Sequence, residues 1–156
     1  MLINIEDVVK YTEGELIYGK LQGSGVAVTS VGSDSLKITE GALFVAIKGE
    51  RVDGHSYVKN AFDNGAVAAI VSKDIPEGDV PCGKYCIKVD DTVTALQRLA
   101  SWYRRKFDIP VVAVSGSVGK TTTKEMIAAA LSSGMNVLKT EGNMNSQIGV
   151  ALMMFR

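Results

Sequence analysis

An α/β fold in two successive regions is predicted for these 156 residues, on three observations. Apolar, β-branched runs of strand length alternate with segments whose apolar residues recur every three or four positions, the order that builds a parallel sheet covered by helices. Asp108-Ile109-Pro110 interrupts that order, because proline disfavours helix at the residue before it. Beyond it, Val111-Val112-Ala113-Val114-Ser115 enters the glycine-rich turn Gly116-Ser117-Val118-Gly119, and a helix-like pattern follows from Lys120. The second region therefore opens as the start of a P-loop, Rossmann-like domain.

Taken in order, residues 5–12 predict a short helix, with Ile5, Val8 and Val9 on one face, Asn4 as cap and Gly14 as stop. Residues 15–18 and 26–32 are strand candidates rich in Val, Ile and Thr. Leu43-Phe44-Val45-Ala46-Ile47 is apolar throughout, as a strand buried on both faces would be. After the polar stretch 48–55, residues 56–64 suit a helix with Tyr57, Ala61 and Phe62 inward and Gly65 as stop. Residues 67–71 and 85–89 read as strands, separated by a loop over 74–83 that holds two of the three prolines.

Asp91-Thr92 then caps a long amphipathic helix, with Val93, Leu96, Leu99, Trp102 or Tyr103, and Phe107 at intervals of three and four. Arg104-Arg105-Lys106 at its end complements the helix dipole, a commoner arrangement than a nucleic-acid patch. In the second region, residues 111–115 predict a strand, Gly119 to about Leu131 a helix with Met126, Ile127, Ala130 and Leu131 on its apolar side, and 136–139 a short strand. Residues 140–150 read as a polar loop, and an apolar segment from Ala151 to Phe155 follows. The strand at 111–115 and the tail from Leu152 to Phe155 are expected to lack partners. Self-association, strand exchange or disorder is therefore expected beyond about residue 110.

The chemistry concentrates at 116–122. Glycines let the backbone turn several N–H groups toward one point, and a new helix adds its free N–H groups and the positive end of its dipole. Lys120 can reach outer phosphates, and the Thr121 hydroxyl can hold a Mg²⁺ bridging them. The usual spacing G-x-x-x-x-G-K-[ST] would put a glycine at 114, where Val114 stands, so this loop is a shorter variant.

Composition limits the alternatives. Lys+Arg and Asp+Glu are both 17, so the net charge is zero and no bulk attraction to nucleic acid or an anionic membrane is expected. Cys82 and Cys86, with His55 as the only histidine, make a four-ligand zinc site from this chain a poor reading; two incidental thiols in a reducing compartment is the better one. The N-terminus lacks a basic stretch followed by an apolar one, and no run approaches a membrane span, so a cytoplasmic location is predicted.

Several segments together resemble the Mur ligases, the ATP-dependent enzymes that add amino acids to the peptidoglycan precursor for the cell wall. Ser33-Asp34-Ser35-Leu36-Lys37 looks like the family's D-S-R-x element. The segment from Gly41 to His55 is similar to its G-x-L-F-V-A-x-x-G-x-x-x-D-G-H stretch, Gly65-Ala66-Val67-Ala68 to the following G-A-x-A, and Gly116–Thr122 to its short P-loop. Lys120-Thr121-Thr122 and Gly142-Asn143-Met144-Asn145-Ser146-Gln147-Ile148-Gly149 resemble the branch that adds D-alanyl-D-alanine to UDP-N-acetylmuramoyl-tripeptide. The branch acting one step earlier usually carries Thr-Asn in the P-loop. Three positions depart from the pattern: Leu36 stands where Arg is usual, Ser146 replaces the second Asn of a pair, and Ala151 replaces a common Pro.

The resemblance implies a UDP-precursor-binding domain with its linking helix over 1–108, and an incomplete ATP-binding domain over 109–156. It implies a ligase that activates a carboxylate as an acyl phosphate, with ATP and Mg²⁺ as cofactors. The site for the D-alanyl-D-alanine amine would lie outside this chain, and the chain alone is expected to be inactive. Gly116, Ser117, Val118, Gly119, Lys120, Thr121 and Thr122 would hold the ATP phosphates, with Lys120 on the transferring phosphate and Thr121 on the metal. Ser33 and Ser35 are candidates to bond the uridine diphosphate; Asp34 either does the same or caps the turn. Lys48 and Arg51 are either the cations for the diphosphate or solvated loop charges. Asn143 and Asn145 either line the cleft toward nucleotide sugar or Mg²⁺ or bond their own loop. Asp53-Gly54-His55 is expected to be a structural turn with a helix cap. A non-enzymatic UDP-sugar-binding module with a vestigial P-loop is the alternative; a folate- or cyanophycin-type ligase fits the Ser33–Ser35 and Leu43–His55 segments less well.

Overall fold

The computed structural model describes residues 3–21, 25–142, 144 and 146–156. Its centre is a five-stranded sheet in the order β2-β7-β6-β5-β4. The strands β4 (Val31–Gly32), β5 (Leu43–Val45), β6 (Ala68–Val71) and β7 (Tyr85–Lys88) run parallel, and β2 (Glu15–Tyr18) is antiparallel to β7 at the edge. The predicted strand over 26–32 divides: β3 (Ala27–Val28) pairs with β1 (Ile3–Asn4) in a separate two-stranded ribbon, and β4 joins the main sheet.

The apolar run at β5 is buried on both faces, as its composition predicts. Leu43 and Val45 join Ile70, Ile87, Leu96 and Leu99 in one core, on the side of α1 (Ile5–Thr12) and α3 (Thr92–Arg104). Phe44 points the other way, into a core with Val58, Ala61 and Phe62 of α2 (Val58–Asp63). This alternation is the pleat of a strand with a helical layer on each side.

Helix ends follow their capping chemistry. Asn4 and Asp7 form a capping box at α1, with the Asp7 N–H donating to Asn4 Oδ1 at 3.0 Å. The residue that ends α1 is Glu13, at φ 55°, rather than Gly14. Gly14 is needed for space, since a Cβ there would lie 2.4 Å from Ile87 Cγ2. Asp91 caps α3 by accepting from the Thr94 N–H at 2.7 Å. The buried stripe of α3 is Thr92, Ala95, Leu96, Leu99, Ala100 and Tyr103; Val93 is only half-buried and Phe107 is exposed, packing edge-on against Tyr103. Arg104 closes the helix by donating to the carbonyls of Phe107 and Ile109, and Lys106 lies 3.9 Å from the Trp102 ring centroid, so this basic end is a cap. Before α2 a 3-10 turn covers Gly54–Tyr57, which leaves Tyr57 exposed and gives its expected inward place to Val58.

The second region departs most from expectation. Residues 111–115 and 136–139 form no strand, and Val111 and Val112 are exposed, because among the described residues nothing offers them a ladder partner. The helix α4 (Lys120–Leu131) forms as predicted, but only Ala128 on it is buried and Met126 is 69% exposed. The stretch read as a polar loop up to residue 150 becomes helical from Gln147: α5 (Gln147–Met153) is capped by Ser146, whose hydroxyl accepts from the Gly149 N–H at 3.1 Å. The tail does not lack partners. Ala151 and Phe155 enter the core on the α3 side, and the Phe155 ring lies 5.4 Å from that of Tyr103. No helix among the described residues is long and apolar enough to cross a membrane.

Candidate functional site

Two places in the fold can receive anions. The first is the edge where the four parallel strands end, the usual place for ligands in an open α/β sheet. The pairing of Gly32 with Phe44 and of Val45 with Ile70 sends the segments after β4, β5 and β6 out along the same edge.

Ser33, Asp34 and Ser35 follow β4 directly. Asp34 accepts from the Leu36 N–H at 3.1 Å, capping the turn, and pairs with Lys37 at 3.4 Å. Ser35 is buried, and its carbonyl accepts from the Asn64 side chain at 2.9 Å. Ser33 is half-buried, and Leu36 is 82% exposed.

Lys48 and Arg51 lie on the loop after β5. The loop is a tight hairpin: Lys48 bridges Asp53, the Gly49 N–H donates to the Val52 carbonyl, and the Gly54 N–H donates to the Ile47 carbonyl, both at 2.9 Å. Gly54 is required by close approach, since a Cβ there would lie 2.7 Å from the Ile47 backbone. Both cations are exposed, and among the described residues neither forms an ion pair.

Asp53 and His55 are the structural turn expected of them. Asp53 Oδ1 accepts from the His55 N–H at 3.0 Å and faces His55 Nδ1 at 2.6 Å; its Oδ2 meets Lys73 Nζ at 2.6 Å. The Lys73 ammonium, then the His55 N–H and ring, hold the Asp53 carboxyl well below the usual carboxylate range. Ser72 and Lys73 follow β6 directly; the sequence shows their place at the exit of a strand, but not their partners, which come from another loop.

The second place is the loop Gly116–Thr122. Gly116 (φ 150°) and Gly119 (φ 78°) take backbone angles that other residues rarely adopt, and Gly119 leads into α4 with no side-chain cap. The N–H groups of the first turn are therefore left to bond an anion. Lys120 Nζ donates to the Gly116 carbonyl at 2.6 Å, so the ammonium lies over the loop. Ser117, Val118, Thr121 and Thr122 are all exposed. Behind the loop, Lys124 donates to the Thr140 carbonyl, and Lys139 pairs with Glu125, tying α4 to the segment that returns from it. Those two lysines, Lys139 first, lower the Glu125 carboxyl from its ordinary value.

Among the described residues no hydrogen bond or ion pair joins this loop to the sheet edge. Asn143 and Asn145 lie outside the described residues. Among the described residues no group of three His, Cys, Asp or Glu side chains gathers to hold a metal. Cys82 is exposed and Cys86 buried, both are free thiols, and burial pushes the Cys86 thiol up to about 12.

Comparison with known proteins covers the segments that hold both places. Residues 27–104 match the family described as "Mur ligase family, catalytic domain", and residues 114–156 match "Mur ligase middle domain". The chain is 42% identical over 142 residues to the UDP-N-acetylmuramoyl-tripeptide--D-alanyl-D-alanine ligase of Escherichia coli (strain K12), covering 91% of this chain and 30% of that protein. It is 42% identical over 149 residues to the same-named ligase of Bacillus subtilis (strain 168), covering 96% and 31%. Its fold superposes on MurF from Acinetobacter baumannii with a TM-score of 0.85 at 32% identity, covering 97% of this chain and 32% of that one. A MurF ligase from Thermotoga maritima in complex with ADP gives 0.72 at 36% identity, over 81% and 28%. The chain thus spans about 30% of the length of the curated relatives it matches. With the strand-edge loops inside the first matched segment and the short P-loop inside the second, the chain belongs to the Mur ligase family.

Proposed function

We propose that the chain is the N-terminal part of an ATP-dependent ligase that adds D-alanyl-D-alanine to UDP-N-acetylmuramoyl-tripeptide in peptidoglycan synthesis. The observation that supports this reading is that the D-alanyl-D-alanine ligases of Escherichia coli and Bacillus subtilis match the chain over 91% and 96% of its length, a span that includes both the strand-edge loops and the short P-loop. In this reading residues 1–108 bind the UDP precursor and 109–156 begin the ATP-binding domain. Lys48 and Arg51 meet the diphosphate, and Ser33 and Ser35 bond the uridine diphosphate; Asn143 and Asn145 line the cleft between the domains. Gly116–Thr122 hold the ATP phosphates with backbone N–H groups, and Lys120 leaves the Gly116 carbonyl to neutralise the transferred phosphate.

The exposed Thr121 hydroxyl on the first turn of α4 suits one ligand position of Mg²⁺, which characteristically takes its others from phosphates and water. When bound, Mg²⁺ would supply charge neutralisation to the outer phosphates. The exposed apolar residues Val111, Val112, Met135 and Leu138 support self-association of the isolated chain, which size-exclusion chromatography over a range of concentrations will show as a concentration-dependent shift.

The test is calorimetric titration of the chain with UDP-muramoyl tripeptide and, separately, with ATP·Mg²⁺. Weak binding of the UDP compound, weaker binding of ATP that Lys120→Ala removes, and no ligation are expected. Absence of UDP-compound binding, or ATP-dependent phosphate release with the tripeptide, contradicts the reading.

A further inference from the structure

We propose that His55 is a positioning residue for the diphosphate: it latches the Lys48–Gly54 hairpin to the end of β6, so that Lys48 and Arg51 face the strand edge. The proposal rests on the reading above that this edge receives the UDP moiety.

The hairpin's own bonds give it shape but not orientation. The bridge between Lys48 and Asp53 and the bonds from Gly49 to Val52 and from Gly54 to Ile47 all lie within the loop and its root. What ties the loop to a neighbouring strand is the buried His55 ring. Its Nε2 accepts from the Ser72 backbone N–H at 2.9 Å, so that nitrogen carries no proton. The proton of the neutral ring therefore sits on Nδ1 and is donated to Asp53 Oδ1 at 2.6 Å. The other oxygen of Asp53 takes Lys73 at 2.6 Å. Two consecutive residues leaving β6 thus grip the two polar side chains that close the hairpin.

Ser72, His55 and Asp53 share the composition of a hydrolytic triad, but the chemistry differs. The amide of Ser72 occupies the Nε2 lone pair, with its hydroxyl farther away at 3.2 Å, and the ring is shut from solvent. The group is a bracket. Its outer end presents two exposed cations that form no ion pair among the described residues. Fixing the hairpin backbone that carries these side chains before binding lowers the ordering cost of capturing a diphosphate.

The experiment measures UDP affinity by calorimetry for the wild-type chain, Lys48→Ala, Arg51→Ala, His55→Leu, His55→Gln and the double variant Lys48→Ala/His55→Leu. His55→Leu is expected to weaken UDP binding about tenfold with the far-UV spectrum retained. His55→Gln, whose carboxamide offers one donor and one acceptor, is expected to recover most of the loss. Lys48→Ala is expected to cost less in the His55→Leu background than alone, which a purely structural histidine would not produce. Wild-type affinity in His55→Leu, or equal cost of Lys48→Ala in both backgrounds, overturns the proposal.

If His55→Leu does not fold, Lys73→Ala is the second probe. It loosens only the Asp53 end, and the Gly49 and Gly54 amides must then exchange faster with solvent; unchanged exchange overturns the latch. If neither Lys48→Ala nor Arg51→Ala weakens UDP binding, the reading of this edge as the diphosphate site falls and takes the proposal with it. If they weaken it and His55→Leu does not, the proposal alone falls.

Discussion

β6 and the stretch at 111–115 are close in composition and opposite in fate. Ala68-Ala69-Ile70-Val71 is wholly buried between β5 and β7. Val111-Val112-Ala113-Val114-Ser115 carries more β-branched residues, yet it forms no ladder, and Val112 is 59% exposed. A strand is stabilised by its neighbours' hydrogen bonds and by a layer to pack on, and β propensity supplies neither. The same contrast holds for helices: α3 buries a full stripe, whereas α4 starts from its glycine loop without a side-chain cap and buries only Ala128. The first region is therefore held by packing, and the segment 111–140 by local geometry and a few polar ties.

The largest test of this difference pairs two apolar truncations. Phe44→Ala, at a 1% exposed position between two layers, is expected to lower the unfolding free energy by about 4 kcal/mol. Val112→Ala is expected to stay within about 0.5 kcal/mol. Urea denaturation followed by circular dichroism measures both, and comparable losses would mean that 111–115 is packed after all.

Phe155→Ala sharpens the boundary between the regions, because α5 belongs by sequence to the second and by contact to the first. A loss of about 3 kcal/mol is expected, with faster amide exchange in α5 and none of that change in α4. Exchange rising in α4 as well would show the two helices to be one cooperative unit.

The smallest effect concerns the α3 cap. Asp91→Ala is expected to cost about 1 kcal/mol at neutral pH. The Thr94 N–H holds the Asp91 carboxyl below its ordinary 3.8, so the folded state favours the charged form. That contribution is complete above 3.8 and is lost as pH falls below it through the lowered folded value. The gap between wild type and Asp91→Ala should therefore narrow on acidification, and a gap constant down to about pH 2 would remove the carboxylate from the account.

Much of the first region was legible because its signals are local. Asn4 and Asp91 as caps, the doubly buried run at β5, and the Asp53 turn all follow from residue chemistry over a few positions. The misreadings arose where distant residues decide. The run 26–32 splits because β1 takes its first half and β5 its second. Gly14 looked like a helix stop, but its role is set by Ile87, far along the chain. The candidate site rests on motif order for Gly116–Thr122 and Ser33–Ser35, and on a place after a buried strand for Lys48 and Arg51. Ser72 and Lys73 could not be assigned a role, since their partners Asp53 and His55 come from another loop.

By itself, the sequence determined the α/β class, the order of the elements and a glycine loop shaped to expose N–H groups before Lys120. These depend on periodicity, capping and backbone freedom, which act over one or two turns of chain. Only the tertiary structure decided which apolar runs became strands, which helix the tail would pack against, and that His55 would bind the end of β6. Those outcomes require groups remote in sequence to meet, and a hydrogen-bond ladder or a buried face exists only once they have met.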